Sequence, residues 1–217
     1  MSRLHKNKQY YSDVEKTGRH VRKEISTGLE LLKKIDKSIV TVFGGHKVSA
    51  EHPFYQHCKN VAFELGKKGY AIMTGGGSGM MEAANRGATE AGALSIGIKA
   101  KLLKKELAKG SIFTHKLALR FIFVRRFLLA IKSEALIFYP GGFGTLNELF
   151  EYATLMKTGI VDKVPIICVN KEFWQGLFEW LHDKPLKENL YMSQTDDLKL
   201  LHIVDDLEEI MRIIEKK

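Results

Sequence analysis

Short apolar runs that end in glycine turns constrain the fold of this chain more than any other feature. The runs at Ile39–Phe43, Ala71–Thr74 and 135–139 each lead into glycines, and a segment with helical periodicity follows each turn. Apolar strands that alternate with helices are typical of a parallel sheet covered on both faces. We therefore predict the α/β class, with a single Rossmann-like doubly wound parallel sheet.

The predicted organisation is one domain preceded by a short polar segment. Residues 1–18 are polar and basic and are expected to be loosely ordered, whereas 19–35 has the periodicity of an amphipathic helix. We find no linker or repeat after this point, so 19–217 is predicted to be one nucleotide-binding domain. Its further elements are predicted as strands at 94–98, 164–169 and 200–204, an irregular connection at 99–111, an apolar helix at 117–132, and a last helix opened by a capping box of Asp205 with Glu208.

Composition excludes several classes of protein. The net charge of +9 is spread along the chain without an arginine-rich arm, so it favours small anionic substrates over nucleic acid. No window contains the roughly 20 apolar residues that a membrane span requires. The N-terminus lacks an apolar signal region, and Cys58 and Cys168 fall in different predicted elements. We expect a cytoplasmic protein without a disulfide, a membrane partner or a metal site.

Glycine turns follow three of the predicted strands. They are Gly44-Gly45, 75–79 (GGGSG) and 141–144 (GGFG). Ligands of parallel sheets bind beyond the carboxyl ends of the strands, and glycine lets backbone N–H groups approach an anion closely. Three such turns at one edge are better explained by a ligand lying across them than by the steric needs of each turn.

The common nucleotide fingerprints are missing. The pattern G-x-G-x-x-G fails because Met80 occupies the sixth position from Gly75, and Lys99 follows the third strand where an acid would hold a ribose. No glycine turn is followed by the Lys-Ser/Thr pair of a Walker A loop. These absences weaken the NAD and ATP-hydrolysis interpretations, and no cofactor is expected.

Charged residues near the third turn are the candidates for chemistry. Glu148 lies early in the predicted helix, but Thr145-x-x-Glu148 also matches a capping box, so a local structural role stays open. Arg125 and Arg126 interrupt an apolar segment, and a buried arginine needs a carboxylate or phosphate partner. A structural salt bridge is the alternative for them, and Glu151 either shares the face of Glu148 or belongs to the helix surface.

The other polar candidates have ordinary alternatives. Glu82 and Asn85 lie in the first turns of the helix after the second glycine turn, where an acid also favours the helix dipole. His46 and His52 flank the first turn and are interpreted as loop residues.

Three segments together resemble one family. They are TGGGSGMMEAANRGA at 74–88, FVRR at 123–126 and PGGFGTLNELFE at 140–151. In combination they are similar to the LOG (Lonely guy) family of cytokinin riboside 5′-monophosphate phosphoribohydrolases, formerly labelled possible lysine decarboxylases. The resemblance covers about 38–158 and departs from the family pattern at Arg126, where lysine is usual, and at Gly45-His46.

The resemblance implies hydrolysis of the N-glycosidic bond of a nucleoside 5′-monophosphate, AMP or a cytokinin ribotide, by a homodimer. It implies that Glu148 and Arg125 are catalytic. Together with the glycine turns it predicts that the substrate is bound by Gly44, Gly45, Gly75, Gly76, Gly77, Gly79, Met80, Glu82, Asn85, Arg126, Gly141, Gly142, Gly144, Thr145 and Glu151. A non-catalytic carrier of a nucleotide or of the molybdenum cofactor on the same scaffold is the alternative.

Overall fold

Seven parallel strands form one sheet in the part of the chain that the structure describes. The computed structural model describes residues 5–101, 112–186 and 200–216. The strand order is β4-β3-β2-β1-β5-β6-β7, which confirms the predicted α/β doubly wound parallel sheet. The strands are β1 Ile39–Phe43, β2 Ala71–Thr74, β3 Ser95–Ala100, β4 His115–Leu119, β5 Ser133–Phe138, β6 Ile166–Val169 and β7 Leu201–Val204.

Helices cover both faces of the sheet because the strands are apolar on both sides. One hydrophobic core packs residues of α2, α5 and α6 against the sheet, and the other packs residues of α3, α4 and α8. No described helix is both long enough and apolar enough to cross a membrane. The helices are α1 His5–Tyr11, α2 Val14–Lys33, α3 Pro53–Lys67, α4 Met80–Glu90, α5 Ile122–Ala130, α6 Phe143–Lys157, α7 Lys171–Leu181 and α8 Leu207–Glu215, with a π-helical turn at His182–Leu186.

The apolar helix predicted at 117–132 is wrong in its first part. His115–Leu119 is the edge strand β4, and helix α5 begins only at Ile122. The side chains of β4 alternate between exposed and more buried positions, and the strand pairs with β3 over its whole length. The segment is apolar enough for either structure, so pairing with the open edge of β3 decides the outcome. Of the irregular connection predicted at 99–111, residues 102–111 lie outside the described residues, and Lys99 belongs to β3.

Helices at the two ends of the chain also differ from the prediction. Helix α1 and the first turn of α2 lie within residues 1–18, which the sequence predicts to be loosely ordered. Asp13 caps α2 by accepting a hydrogen bond from Lys16 N. Helix α8 is capped by Asp206, not by Asp205. Asp205 instead accepts a hydrogen bond from Lys171 N at the start of α7.

The order of the strands locates the ligand edge. The chain adds β2, β3 and β4 on one side of β1 and then returns to place β5 on its other side. Such a reversal opens a crevice beyond the carboxyl ends of the two central strands. The turns after β2, β1 and β5 are the three glycine turns of the sequence, and they are neighbours because their strands are neighbours.

Candidate functional site

A cavity of about 800 Å³ lies at the carboxyl ends of the central strands. All three glycine turns contribute to its wall, as predicted from their positions after the strands. The residues that line it are Phe43, Gly44, Gly45, His46, Lys47, Val48, Ser49, His52, Gly75, Met81, Arg125, Pro140, Gly141, Gly142, Phe143, Gly144, Thr145, Glu148 and Phe173.

The three turns are joined by backbone hydrogen bonds. Gly45 N donates to Pro140 O at 2.9 Å, and Met80 N donates to Gly45 O at 3.1 Å. The close approach of the first two turns leaves no room for side chains: a Cβ on Gly79 would lie 2.4 Å from Gly45 O, and one on Gly44 would lie 2.7 Å from Met80 Cβ. Gly79 also has a φ of 65°, which favours glycine. The turns therefore form one connected floor to the cavity.

Helix α6 begins at the floor of the cavity. Gly142 is its N-cap and supplies no side-chain cap, and the first turn contains no acidic residue. The first N–H groups of a helix have no partner within the helix, and they carry partial positive charge. This end of α6 is therefore suited to an anion.

The start of α6 removes the capping-box explanation for Glu148. Because the helix begins at Phe143, Thr145 is its third residue and not the cap. Both Thr145 and Glu148 are nonetheless buried. Glu148 Oε1 instead accepts a hydrogen bond from Arg125 Nη2 at 2.8 Å. The carboxylate thus has a tertiary partner on α5 and faces the cavity.

Arg125 connects two of the turns. Its Nη2 pairs with Glu148 of α6, and its Nη1 lies 3.5 Å from the carbonyl oxygen of Gly75 in the second turn. Burial raises the pKa of Glu148, and the neighbouring Arg125 guanidinium opposes that rise. A carboxylate whose pKa is raised at the wall of a cavity is a candidate for proton transfer or charge stabilisation.

A second ion pair lies beside the first. Arg126, the next residue of α5, pairs through Nε with Glu151 Oε2, one turn further along α6. The same turn of α5 is held by Tyr152, whose hydroxyl donates to Arg126 O at 2.8 Å. Both arginines therefore meet a carboxylate, which is one of the two partners, carboxylate or phosphate, that the sequence predicts for at least one of them, and which also fits the alternative of a structural salt bridge.

Comparison with known proteins identifies the family. The family model described as "Possible lysine decarboxylase" matches residues 81–214. A cytokinin riboside 5′-monophosphate phosphoribohydrolase of Mycobacterium tuberculosis is 30% identical over 170 residues, which are 75% of this chain and 88% of the relative. The chain belongs to the LOG family. A second relative, the enzyme LOG3 of Arabidopsis thaliana, is 29% identical over 76% of this chain and 77% of its own length.

The LOG family is a family of enzymes. Proteins outside this family share its fold. The molybdenum cofactor binding protein of Rippkaea orientalis superposes with a TM-score of 0.63 over 84% of this chain and 98% of its own length. Its sequence is 20% identical, so this likeness concerns the fold alone. The family model and the two relatives confirm the LOG resemblance that the three sequence segments indicated.

Several residues that the LOG resemblance assigned to the substrate lie away from the cavity wall. Glu82 pairs with Arg86 one turn along α4. The side chain of Asn85 is fully buried, where it accepts from Thr74 Oγ1 and donates to Ser95 Oγ at 2.9 Å. Their role in binding stays a prediction, as it does for the other assigned residues that are not among those lining the described cavity: Gly76, Gly77, Gly79, Met80, Arg126 and Glu151.

Other cavity residues were not predicted as site residues of this LOG-family chain. Met81 lines the cavity beside the buried Met80, and Phe173 reaches it from α7. Phe143, at the variable position of the third glycine turn, is 90% exposed. His46 and His52, which the sequence indicates to be loop residues, also line the cavity. The cavity residues that follow β1 and β6 carry one signal in the sequence that could have identified them as site residues, which is their position shortly after a strand.

The His, Cys, Asp and Glu side chains of the described residues do not form a metal site. Among them, no group of three or more His, Cys, Asp or Glu side chains is placed to hold a metal ion. The two cysteines are free and buried in the cores.

Proposed function

We propose that this LOG-family chain hydrolyses the N-glycosidic bond of nucleoside 5′-monophosphates and releases a free base and ribose 5-phosphate. The observation that carries the proposal is the Arg125–Glu148 pair, buried in the wall of a cavity whose floor is made of three joined glycine turns. The LOG relatives, which are named phosphoribohydrolases, support the same reaction.

The 5′-phosphate is assigned to the start of α6. Its first turn offers N–H groups without a side-chain cap, and Gly142 has open space at the position of a Cβ. Thr145 lines the cavity there and adds a hydroxyl group. Binding of the phosphate at this point fixes the sugar relative to Glu148, which lies one turn further along the same helix.

Glu148 is assigned to the sugar. As the C1′–N bond breaks, positive charge develops on the ribose ring, as in glycoside hydrolysis. A buried carboxylate stabilises that charge, and in its ionised form it accepts a proton from the water whose oxygen bonds to C1′. The leaving nitrogen of the base takes up a proton from solvent and Glu148 returns the proton of the water to solvent, so one water is consumed for each C1′–N bond broken. Arg125 holds the carboxylate in place and, by its charge, opposes the rise in the pKa of Glu148.

The experiment that tests the proposal is a substrate panel. Purified protein is incubated with nucleoside monophosphates that include AMP and a cytokinin ribotide, and the products are separated by chromatography. We expect equal amounts of free base and ribose 5-phosphate from at least one of them. Recovery of every nucleotide intact would refute the hydrolase.

A carrier of a nucleotide or of the molybdenum cofactor is the second candidate. The observation that favours it is the similarity to the Rippkaea protein, which is titled a molybdenum cofactor binding protein. Glycine turns serve a carrier equally well, but a carrier has no need of a buried arginine–glutamate pair in the cavity wall. Binding of nucleotide without turnover would favour the carrier.

We also propose that this LOG-family chain is a single-domain cytoplasmic protein. A further proposal is that it forms a homodimer. Its support is an apolar surface on α5 and α6, where Phe123 is 52% exposed and Phe127, Ile131 and Phe150 are also exposed. Exposed aromatic side chains on adjacent helices are typical of a protein interface. Light scattering should give twice the chain mass of 24.6 kDa, and Phe127→Glu should give the monomer.

A further inference from the structure

Helix α5, which carries Arg125, does not supply its own N-terminal cap. Its N-cap residue is Phe121, which has no capping side chain, and the first turn contains no acidic residue. The N–H groups at the start of a helix need acceptors, and a negative charge there is favourable. The acceptor comes from elsewhere in the chain.

Glu24 of α2 provides that acceptor. Its Oε1 accepts a hydrogen bond from Arg120 N at 2.7 Å, and its Oε2 accepts one from Phe121 N at 3.1 Å. Both carboxylate oxygens are therefore used on consecutive backbone N–H groups at the entrance to α5. Glu24 lies almost a hundred residues before them in the sequence, so it caps α5 from a different helix.

The two helices are also fixed further along. Gly28 of α2 lies against α5 so closely that a Cβ there would be 2.1 Å from Leu128 Cδ1. At the far end, Lys132 Nζ donates to the carbonyl oxygens of Leu32 and Ile35. Helix α2 therefore caps the start of α5, and Lys132, two residues after α5, binds carbonyl oxygens at and just beyond the end of α2. Contacts at both ends and in the middle define the position of α5 along α2.

The cap is one helical turn from the catalytic arginine. Phe121, whose N–H is bound by Glu24, accepts the backbone hydrogen bond of Arg125 N at 3.1 Å through its own carbonyl oxygen. The Phe121 ring is buried in the core. A change in the capping of Phe121 is therefore transmitted to the residue whose guanidinium reaches both Glu148 and Gly75.

We propose that Glu24 is a positioning residue for the reaction, acting through Phe121 to hold the Arg125 guanidinium against Glu148. The proposal rests on the proposed function. Helix α2 lies outside the residues that the family model matches. In this proposal α2 affects the reaction through Arg125, without contacting the substrate.

The test is a double-mutant cycle between Glu24 and Arg125. We expect Glu24→Ala to lower kcat on the order of 10-fold, with a small change in KM, because the start of α6 is untouched. In the Arg125→Ala background the same substitution should have no further effect, since residues that act through each other are not additive. Glu24→Gln, which retains one oxygen acceptor, should be intermediate, and it serves if the alanine variant fails to fold.

The matched control is Glu30→Ala, which removes an exposed acid from the same helix and should leave kcat unchanged. An unchanged kcat in both Glu24 variants, or an equal loss with and without Arg125, would overturn the proposal, because a merely structural cap predicts those results.

A second readout does not depend on turnover. The side-chain 15Nε–1H signal of Arg125, assigned by its loss in Arg125→Ala, should shift in Glu24→Ala but not in Glu30→Ala. An unshifted signal would refute the positioning role. If the wild-type protein hydrolyses no nucleotide, the proposed function fails, and this signal still decides whether Glu24 positions Arg125.

Discussion

Two ion pairs join α5 to α6, and they differ in what surrounds them. Arg125 and Glu148 have side chains that are 14% and 10% exposed, whereas Arg126 and Glu151 are 22% and 27% exposed. Only the first pair lines the described cavity. The residue types are the same and the arginines are adjacent in sequence. The difference is one of position, because the first pair lies beside the glycine turn after β5 and lines the cavity, whereas the second pair lies one turn further along α6.

The two environments also differ in energetic terms. A buried ion pair loses hydration that its mutual attraction does not fully restore, so its presence at a cavity wall is weak evidence for a role in stability. The raised pKa of Glu148 reflects this burial. The second pair is more exposed, and its side chains connect two helices near the hydrogen bond from Tyr152 to Arg126. We therefore propose a catalytic role for the first pair, and we expect the second pair to connect the two helices.

Replacing the two acids should give the largest contrast. We expect Glu148→Gln to lower kcat for nucleotide hydrolysis on the order of 10³-fold, because the general base and the charge opposite the ribose are lost together. Glu151→Gln removes the same charge three residues further along α6 and should change kcat less than about 3-fold. Steady-state kinetics with AMP measures both. Similar losses in the two variants would contradict the distinction between the pairs.

Replacing the two arginines should give a smaller contrast in the same direction. We expect Arg125→Ala to lower kcat on the order of 10²-fold, because Glu148 loses the group that orients it. Arg126→Ala should have little effect on kcat or KM, and a marked rise in its KM would instead support the substrate contact that the LOG resemblance implied. Arg125→Lys keeps the charge but not the planar fork, so it should recover only part of the activity.

The pH dependence of stability should reveal the burial of Glu148. The pKa of Glu148 is raised above its usual value of 4.5, so the ionised form is less favourable in the folded chain than in the unfolded one. Its contribution to stability is complete below the unfolded pKa and is lost as the pH rises through the raised folded pKa. Glu148→Gln does not titrate, so its Tm should exceed that of the wild type at neutral pH.

The difference in Tm between Glu148→Gln and the wild type should close as the pH falls toward 4.5. Thermal unfolding followed by circular dichroism across this range measures both proteins. A constant difference between Glu148→Gln and the wild type at all pH values would show that the carboxylate is not destabilised by burial.

We expect the smallest effect when the ion pair of Arg126 with Glu151 is removed and the free energy of unfolding is measured. Arg126→Ala should lower the free energy of unfolding by about 1 kcal/mol or less, since partly exposed pairs contribute little. Urea denaturation measures the change, and the double variant with Glu151→Ala should lose no more than the single variants together. A loss of several kcal/mol would mean that this pair is structurally more important than its exposure indicates.

The sequence predicted the parts of this molecule that depend on local patterns. Apolar runs and glycine turns identified β1, β2 and the cavity edge, because their burial and sharp turns leave a signature within a few residues. The free-energy cost of burying an arginine predicted a carboxylate or phosphate partner for at least one of Arg125 and Arg126. The capping box at Thr145, which the sequence leaves open as an alternative for Glu148, does not form because the glycine turn lets α6 begin two residues earlier, at Phe143.

Features that depend on distant neighbours were not predictable. The segment that forms β4 has no strand signal strong enough to exclude a helix, and only the open edge of β3 decides its structure. The contact of Glu24 with Phe121 joins residues almost a hundred positions apart. In one sequence, nothing distinguishes Glu24 from the other acids of α2. Tertiary packing determines both results.

A single-turnover experiment with AMP tests the central claim most directly. Wild-type protein and the Glu148→Gln variant, each in excess over AMP, are quenched over time, and adenine and ribose 5-phosphate are quantified while AMP binding is measured by calorimetry. We predict equimolar adenine and ribose 5-phosphate from the wild type, and intact AMP bound with similar affinity by Glu148→Gln. Equal rates of product formation in the two proteins, or intact AMP bound by both, would contradict the assignment of Glu148 as the catalytic carboxylate.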